Sequence, residues 1–109
     1  MSEAEAIGKA PGRVPRLDIH GAFIRRTDLS GASLRLANLS GADATGASFR
    51  GADFADADLR GTILRGADLR DARNLTVAQL ASAVIDETTI LPDYIDPSRL
   101  HNRDSSGQE

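Results

Sequence analysis

The sequence predicts a solenoid, a coil that turns a corner every five residues, and three observations predict it. A step of five runs unbroken from Leu17 to Ala72 within the 109 residues. An α-helix repeats its faces every 3.6 residues and a strand every two, so neither holds a five-residue step on one face. Only 4% of residues are aromatic, none is Trp, and alanines are frequent beside ten glycines, which suits a narrow, regular interior.

Each block follows one recipe, as in Thr27-Asp28-Leu29-Ser30-Gly31: small, polar, bulky apolar, polar, then usually Gly. Eleven blocks end at Asp71, and a degenerate twelfth starts at Ala72-Arg73-Asn74. The centre residue of each block and the one two before it are expected to point inward. The centres read Ile19, Ile24, Leu29, Leu34, Leu39, Ala44, Phe49, Phe54, Leu59, Leu64 and Leu69. Their small partners are mostly alanines, from Ala22 to Ala67. Fully burying each large centre contributes roughly 1.5–3 kcal/mol, and corner glycines relieve backbone crowding.

Blocks such as Ala37-Asn38-Leu39-Ser40-Gly41, Ala57-Asp58-Leu59-Arg60-Gly61 and Ala67-Asp68-Leu69-Arg70-Asp71 resemble the pentapeptide-repeat family over about residues 17–74. The resemblance implies an all-β solenoid, a right-handed four-sided β-helix in which four blocks make a turn. It implies about three turns, a stack roughly 14 Å tall at a strand spacing of about 4.8 Å. Stacking by four blocks puts Ile19, Leu39 and Leu59 in one ladder and places Ala44 across the interior from Phe54. A small side chain there makes room for a large one.

The expected organisation is a flexible N-terminal leader (1–16), the repeat β-helix (17–74), a capping helix and packed C-terminal segment (75–96), and a disordered tail (97–109). Gly8, Pro11, Gly12 and Pro15 mark the leader. Thr76 and Gln79 form a capping box, with Leu75 and Leu80 at the positions of a hydrophobic staple. Val77, Leu80, Ala81 and Val84 make one apolar stripe, while Pro92 and Pro97 prevent a long continuation. The stretch from Asn74 to Pro92 also resembles the terminal helix that closes many solenoids of that family. The N-terminal end has no comparable cap, and open backbone edges pair with other chains. A homodimer through that uncapped end is therefore one expected association.

Composition narrows function. There is no Cys, hence no disulfide or thiolate metal site. No apolar run approaches the roughly 20 residues that span a bilayer, and the acidic start lacks a secretory signal. A soluble, cytoplasmic protein without membrane contact is expected. The net charge is −3, yet residues 17–74 carry eight Asp against eight Arg and no Lys, which disfavours nucleic-acid binding. His20 and His101 have no partners at ligand spacing, so no metal is expected. No nucleophile–base set or phosphate loop can be assembled, so no enzyme, cofactor or small-molecule substrate is expected.

The outward positions remain as candidate contacts. Arg25 and Arg65 share a side and flank Thr45, and Arg50 and Arg70 stack on the next. Such a patch suits an acidic partner, whereas the blander expectation pairs these charges with Asp43, Asp53, Asp58 and Asp68. Phe23 and Ile63 occupy second positions normally held by Asp, Asn or Ser, which hints at a contact patch for an unidentified protein. The competing expectation tucks Phe23 under the leader and Ile63 beside the C-terminal segment; Leu36 at a corner invites the same reading. Function is expected to be non-enzymatic, a structural scaffold or protein–protein interaction module. The resemblance also implies an alternative, a DNA-mimicking modulator of DNA gyrase or topoisomerase. Members that act so present a long acidic prism, and these repeats are short and neutral.

Overall fold

The computed structural model describes residues 17–101. Parallel bridges join Asp18 to Asn38, Phe23 to Asp43, Asp28 to Ser48 and Ser33 to Asp53, each to the residue 20 places on. The second positions therefore stack in four ladders, one for each side of a four-sided coil. Side 1 begins at Leu17, side 2 at Ala22, side 3 at Thr27 and side 4 at Ala32. Hydrogen bonds of 2.7–3.1 Å tie each turn to the next.

Each backbone amide in a typical block has its own destination. The first-position amide bonds the centre carbonyl three residues back, as Ala42 does to Leu39. The second donates to the preceding turn, and the third and fifth donate to the following turn. The fourth is left over, and the side chain two residues earlier accepts it. Asp18 serves His20, Asp28 serves Ser30, Asn38 serves Ser40, Asp43 serves Thr45 and Asp58 serves Arg60 in this way. This short Asx turn is why Asp or Asn recurs at the second position.

The corners need left-handed backbone. Fifth positions have φ between 57° and 73°, whether Gly, as at Gly21 and Gly61, or a bulkier residue, as at Arg26, Leu36, Asp56 and Asp71. An L-residue costs roughly 1–2 kcal/mol in that region and glycine does not. With the chain bent this often, each side contributes a single bridged residue, not the continuous strand that an all-β description suggests.

Inside, Leu39, Ala44, Phe49, Phe54 and Leu64 are fully buried. The Phe49 and Phe54 rings meet at 5.3 Å between centroids, tilted by 56°. Ala44 lies on the side opposite Phe54, as the ladders place it. Ile19, Ile24 and Leu29, in the first turn, are only partly buried against this core.

The C-terminal segment departs in part from the sequence expectation. Helix α1 spans Val77–Ser82, six residues, with Thr76 and Gln79 forming the capping box. It ends early because Ala83 adopts extended backbone and the chain rejoins the ladder. Val84, expected on the helix stripe, instead bridges Ile63, and Ile90 bridges Asp68. Sides 2 and 3 thus carry a fourth rung beyond the three turns expected. Thr62 and Thr89 occupy small inward positions and donate their hydroxyls to the carbonyls of Leu39 and Leu64.

Asn74, in phase with the centre positions, turns away with φ 62° and donates to Asp53, while Leu75 enters the core. Residues 97–100, expected within the tail, are ordered. Asp96 accepts from the Ser98 amide, Pro97–Arg99 form a 3-10 helix, and Leu100 is buried. The leader over residues 1–16 and the tail over 102–109 lie outside the described residues.

Candidate functional site

Side 2 carries the most unusual outward surface. Its second positions run Phe23, Asp43, Ile63 and Val84. Phe23 is 86% exposed, whereas Ile63 is half-buried beside the Val84 rung. The expected cover from the C-terminal segment therefore holds for Ile63; the leader proposed over Phe23 lies outside the described residues. Leu36, at its corner, is 38% exposed.

Phe23 and Ile63 also forgo a bond. An apolar side chain cannot accept the fourth-position amide, so Arg25 and Arg65 lack the Asx partner that Thr45 has between them. Asp43 takes both the amide and the hydroxyl of Thr45, at 3.1 and 2.6 Å. Those bonds, the hydroxyl first, hold its carboxyl below the usual carboxylate range. Arg25 reaches Asp43 across the turn at 3.8 Å, a long pair that leaves the guanidinium exposed.

Two other cations are more fully committed. Arg60 and Arg70 each grip the aspartate two residues back with two nitrogens, at 2.6–3.0 Å. The Arg60 grip pulls the Asp58 carboxyl down to about 2, and the Arg70 grip lowers Asp68. Arg50 shares side 3 with Arg70. Asp53, expected to face outward, is only 6% exposed, enclosed by the Asn74 amide at 2.8 Å and Arg35 at 3.5 Å. The structure thus brings Phe23, Arg25, Ile63 and Arg65 onto one side and separates them from Arg50 and Arg70.

Sequence reasoning missed Val84 as the continuation of that row. Its signal was Ala83-Val84-Ile85, which has the small, outward, apolar order of a block. On the opposite side, an open groove of about 450 Å³ lies among Arg35, Asp56, Asn74, Thr76 and Gln79. Three of its polar side chains are already engaged: Gln79 donates to the carbonyls of Phe54 and Ala57, and Asn74 and Arg35 meet Asp53. Among the described residues no group of three or more His, Cys, Asp or Glu could hold a metal ion.

A family profile of pentapeptide repeats matches residues 32–71 in 8 copies. Among solved structures, the chain is similar to the pentapeptide repeat protein Rfr23 from the cyanobacterium Cyanothece 51142. That match has 27% identity and a TM-score of 0.62, covering 71% of this chain and 52% of the other. The chain is also similar to HetL, a pentapeptide repeat protein involved in heterocyst differentiation regulation from Nostoc sp. strain PCC 7120. There the identity is 31% and the TM-score 0.32, over 67% of this chain and 42% of that one. A pentapeptide repeat protein from the Arabidopsis thaliana thylakoid lumen matches at 26% identity and a TM-score of 0.30, over 68% and 63% of the two chains. The chain spans about half the length of the Cyanothece protein. No curated protein sequence matches it. The Cyanothece likeness implies a right-handed, four-sided β-helix.

Proposed function

This chain belongs to the pentapeptide-repeat family, and from that premise we propose that it is a non-enzymatic interaction module, a rigid prism whose side 2 docks a protein partner. In this reading α1 and the segment after it close the C-terminal end of the coil, and the protein works in the cytoplasm. One observation carries the reading: Phe23 and Ile63 stand at second positions, where an Asx acceptor is the rule, and each leaves an arginine amide without that acceptor. A substitution that weakens the local fold yet exposes an aromatic ring is better explained by contact than by stability.

The partner chemistry follows from the side itself. Phe23 offers an apolar anchor, and Arg25 and Arg65 alternate with it at exposed fourth positions. A protein segment carrying a hydrophobic residue between acidic ones would match. The DNA-mimicking alternative needs faces of uncompensated carboxylate. Here Asp58 and Asp68 are gripped by Arg60 and Arg70, which favours the docking reading.

The test is affinity capture from the native host with the wild type and with Phe23→Asp, Ile63→Asp and Arg65→Glu. Partners retained by the wild type and lost by all three variants would support side 2. Identical capture by the wild type and the variants would remove this surface from the function. A supercoiling assay with gyrase addresses the alternative, with no effect expected.

A further inference from the structure

The first turn has an edge that later turns do not. In the second turn the amides of Asn38, Asp43, Ser48 and Asp53 donate to the turn before. Their counterparts Asp18, Phe23, Asp28 and Ser33 find no acceptor among the described residues, and the carbonyls of His20, Arg25, Ser30 and Arg35 receive no donor there. Above the corners no described residue closes in. A Cβ added at Gly21 or Gly31 meets nothing within 4 Å among the described residues, whereas at Gly41 or Gly51 it meets the backbone of the preceding corner at 3.9 Å. Beneath this edge Ile19, Ile24 and Leu29 remain partly exposed.

Charged residues of the first turn alternate in sign around the four sides, Asp18, then Arg25, then Asp28, then Arg35, with Arg26 at a corner; Arg25 and Arg35 also reach Asp43 and Asp53 of the next turn at 3.8 and 3.5 Å. Such a pattern is complementary to itself after a quarter turn. A two-fold axis perpendicular to the coil reverses chain direction, so two such edges would meet antiparallel. With the axis through the Gly21 and Gly31 corners, second positions lie opposite fourth positions. Asp18 then faces the partner's Arg25, and Asp28 faces the partner's Arg35. The four free amides, at Asp18, Phe23, Asp28 and Ser33, face the carbonyls of the partner's Arg25, the partner's His20, the partner's Arg35 and the partner's Ser30. The alternative axis, through the Arg26 and Leu36 corners, presses Arg26 against its own copy.

We propose that the first-turn edge is a head-to-head interface with a second copy of this chain, in register about the Gly21 and Gly31 corners. The interface rests on the interaction-module reading only in that both treat the prism as a display of docking surfaces. It covers Ile19, Ile24 and Leu29 and pairs the four free amides of an edge that would otherwise recruit other strands. Side 2 beyond Phe23 stays free for another partner.

The experiment is sedimentation of the full chain over a concentration series, with two charge-reversed variants. Asp18→Arg/Asp28→Arg makes these four positions all positive, and Arg25→Asp/Arg35→Asp makes them all negative. The wild type is expected to dimerise, and each variant alone to dimerise at least about tenfold more weakly, because like charges oppose across the edge. An equimolar mixture of the two variants is expected to recover the dimer. Circular dichroism and melting confirm that each variant folds. The register has its own readout in a chain without cysteine: oxidised Gly21→Cys is expected to cross-link to its copy and Arg26→Cys is not. A wild type that stays monomeric at every concentration overturns the proposal. So does a dimer that ignores charge reversal. Either result leaves partner capture by Ile63 and Arg65 as a separate question, since both residues lie two turns away.

Discussion

At the scale of single residues, this fold runs on two decisions per block, the volume of the centre and the acceptor at the second position. Ala44 shows the first. It is fully buried in the turn that also encloses Phe49 and Phe54, so interior volume is shared across the coil and not allotted side by side. Ala44→Leu adds three carbons to a filled layer and is expected to cost about 1–3 kcal/mol through overpacking. Thermal melting checks this, and an unchanged or higher midpoint would refute the cross-coil pairing. Phe23 shows the second. Replacing it with Asp supplies the missing acceptor for the Arg25 amide while removing an exposed ring. The variant is expected to gain about 0.5–1.5 kcal/mol, the net worth of one hydrogen bond. A stability gain joined to a loss of partner capture would separate function from folding at one position, whereas a lower melting point would show that the ring is structural.

At the scale of elements, the Asx turn ties folding to pH, and it also shows where the sequence could be read and where it could not. Asp28, Asp43, Asp58, Asp68, Asp86 and Asp96 all have carboxyls lowered by bonds to residues two places on. A carboxyl lowered in the folded state stabilises above its unfolded value, near 4, and loses that contribution as pH falls through the folded value. For Asp58 the loss continues down to about 2. His20 has the opposite sign: its bond to Asp18 raises its pKa, so its contribution is present below the unfolded value near 6.5 and is lost as pH rises past the folded one. The melting temperature is therefore expected to fall steeply between about pH 4 and 2, with a small decline above about 6.5. Asp58→Asn and Asp68→Asn together should flatten the acid limb, because an amide accepts the same backbone bond without titrating. The five-residue spacing made the ladders legible because it fixes both which side a residue occupies and whether it points inward. It did not reveal the role of the second position, since a recurring Asp reads equally as mere solubility until the backbone amides are accounted for. The end of α1 escaped for a related reason. Val84 fits the helical period by spacing, but the ladder bonds Val84 makes with Thr62 and Leu64 outweigh one further helical turn.

At the scale of the whole molecule, the stack is one-dimensional, and each turn is held only by the turns beside it. Its stability is therefore expected to vary along the axis. The second and third turns have neighbours on both sides and centres that are almost wholly buried. The first turn has one neighbour within the described residues, and three of its four centres, Ile19, Ile24 and Leu29, are partly exposed. At the other end the fourth rung is partial. There Leu80 is buried in the core, and the Tyr94 hydroxyl donates to the Ala72 carbonyl and accepts the Leu75 amide. Native-state hydrogen exchange should register this gradient, since amides open locally at free energies from near zero up to the global value. The ladder amides of Leu39, Ala44 and Phe49 are expected to exchange slowest, and those of Ile19, Ile24 and Leu29 much faster. Leu80→Ala removes a buried side chain at about 2–5 kcal/mol, and in a stack its effect should reach Leu64 and Leu69 first and Ile19 last. If the substitution instead accelerated every ladder amide equally, the coil would open as one cooperative unit, and nearest-neighbour stacking would no longer describe how the prism holds together.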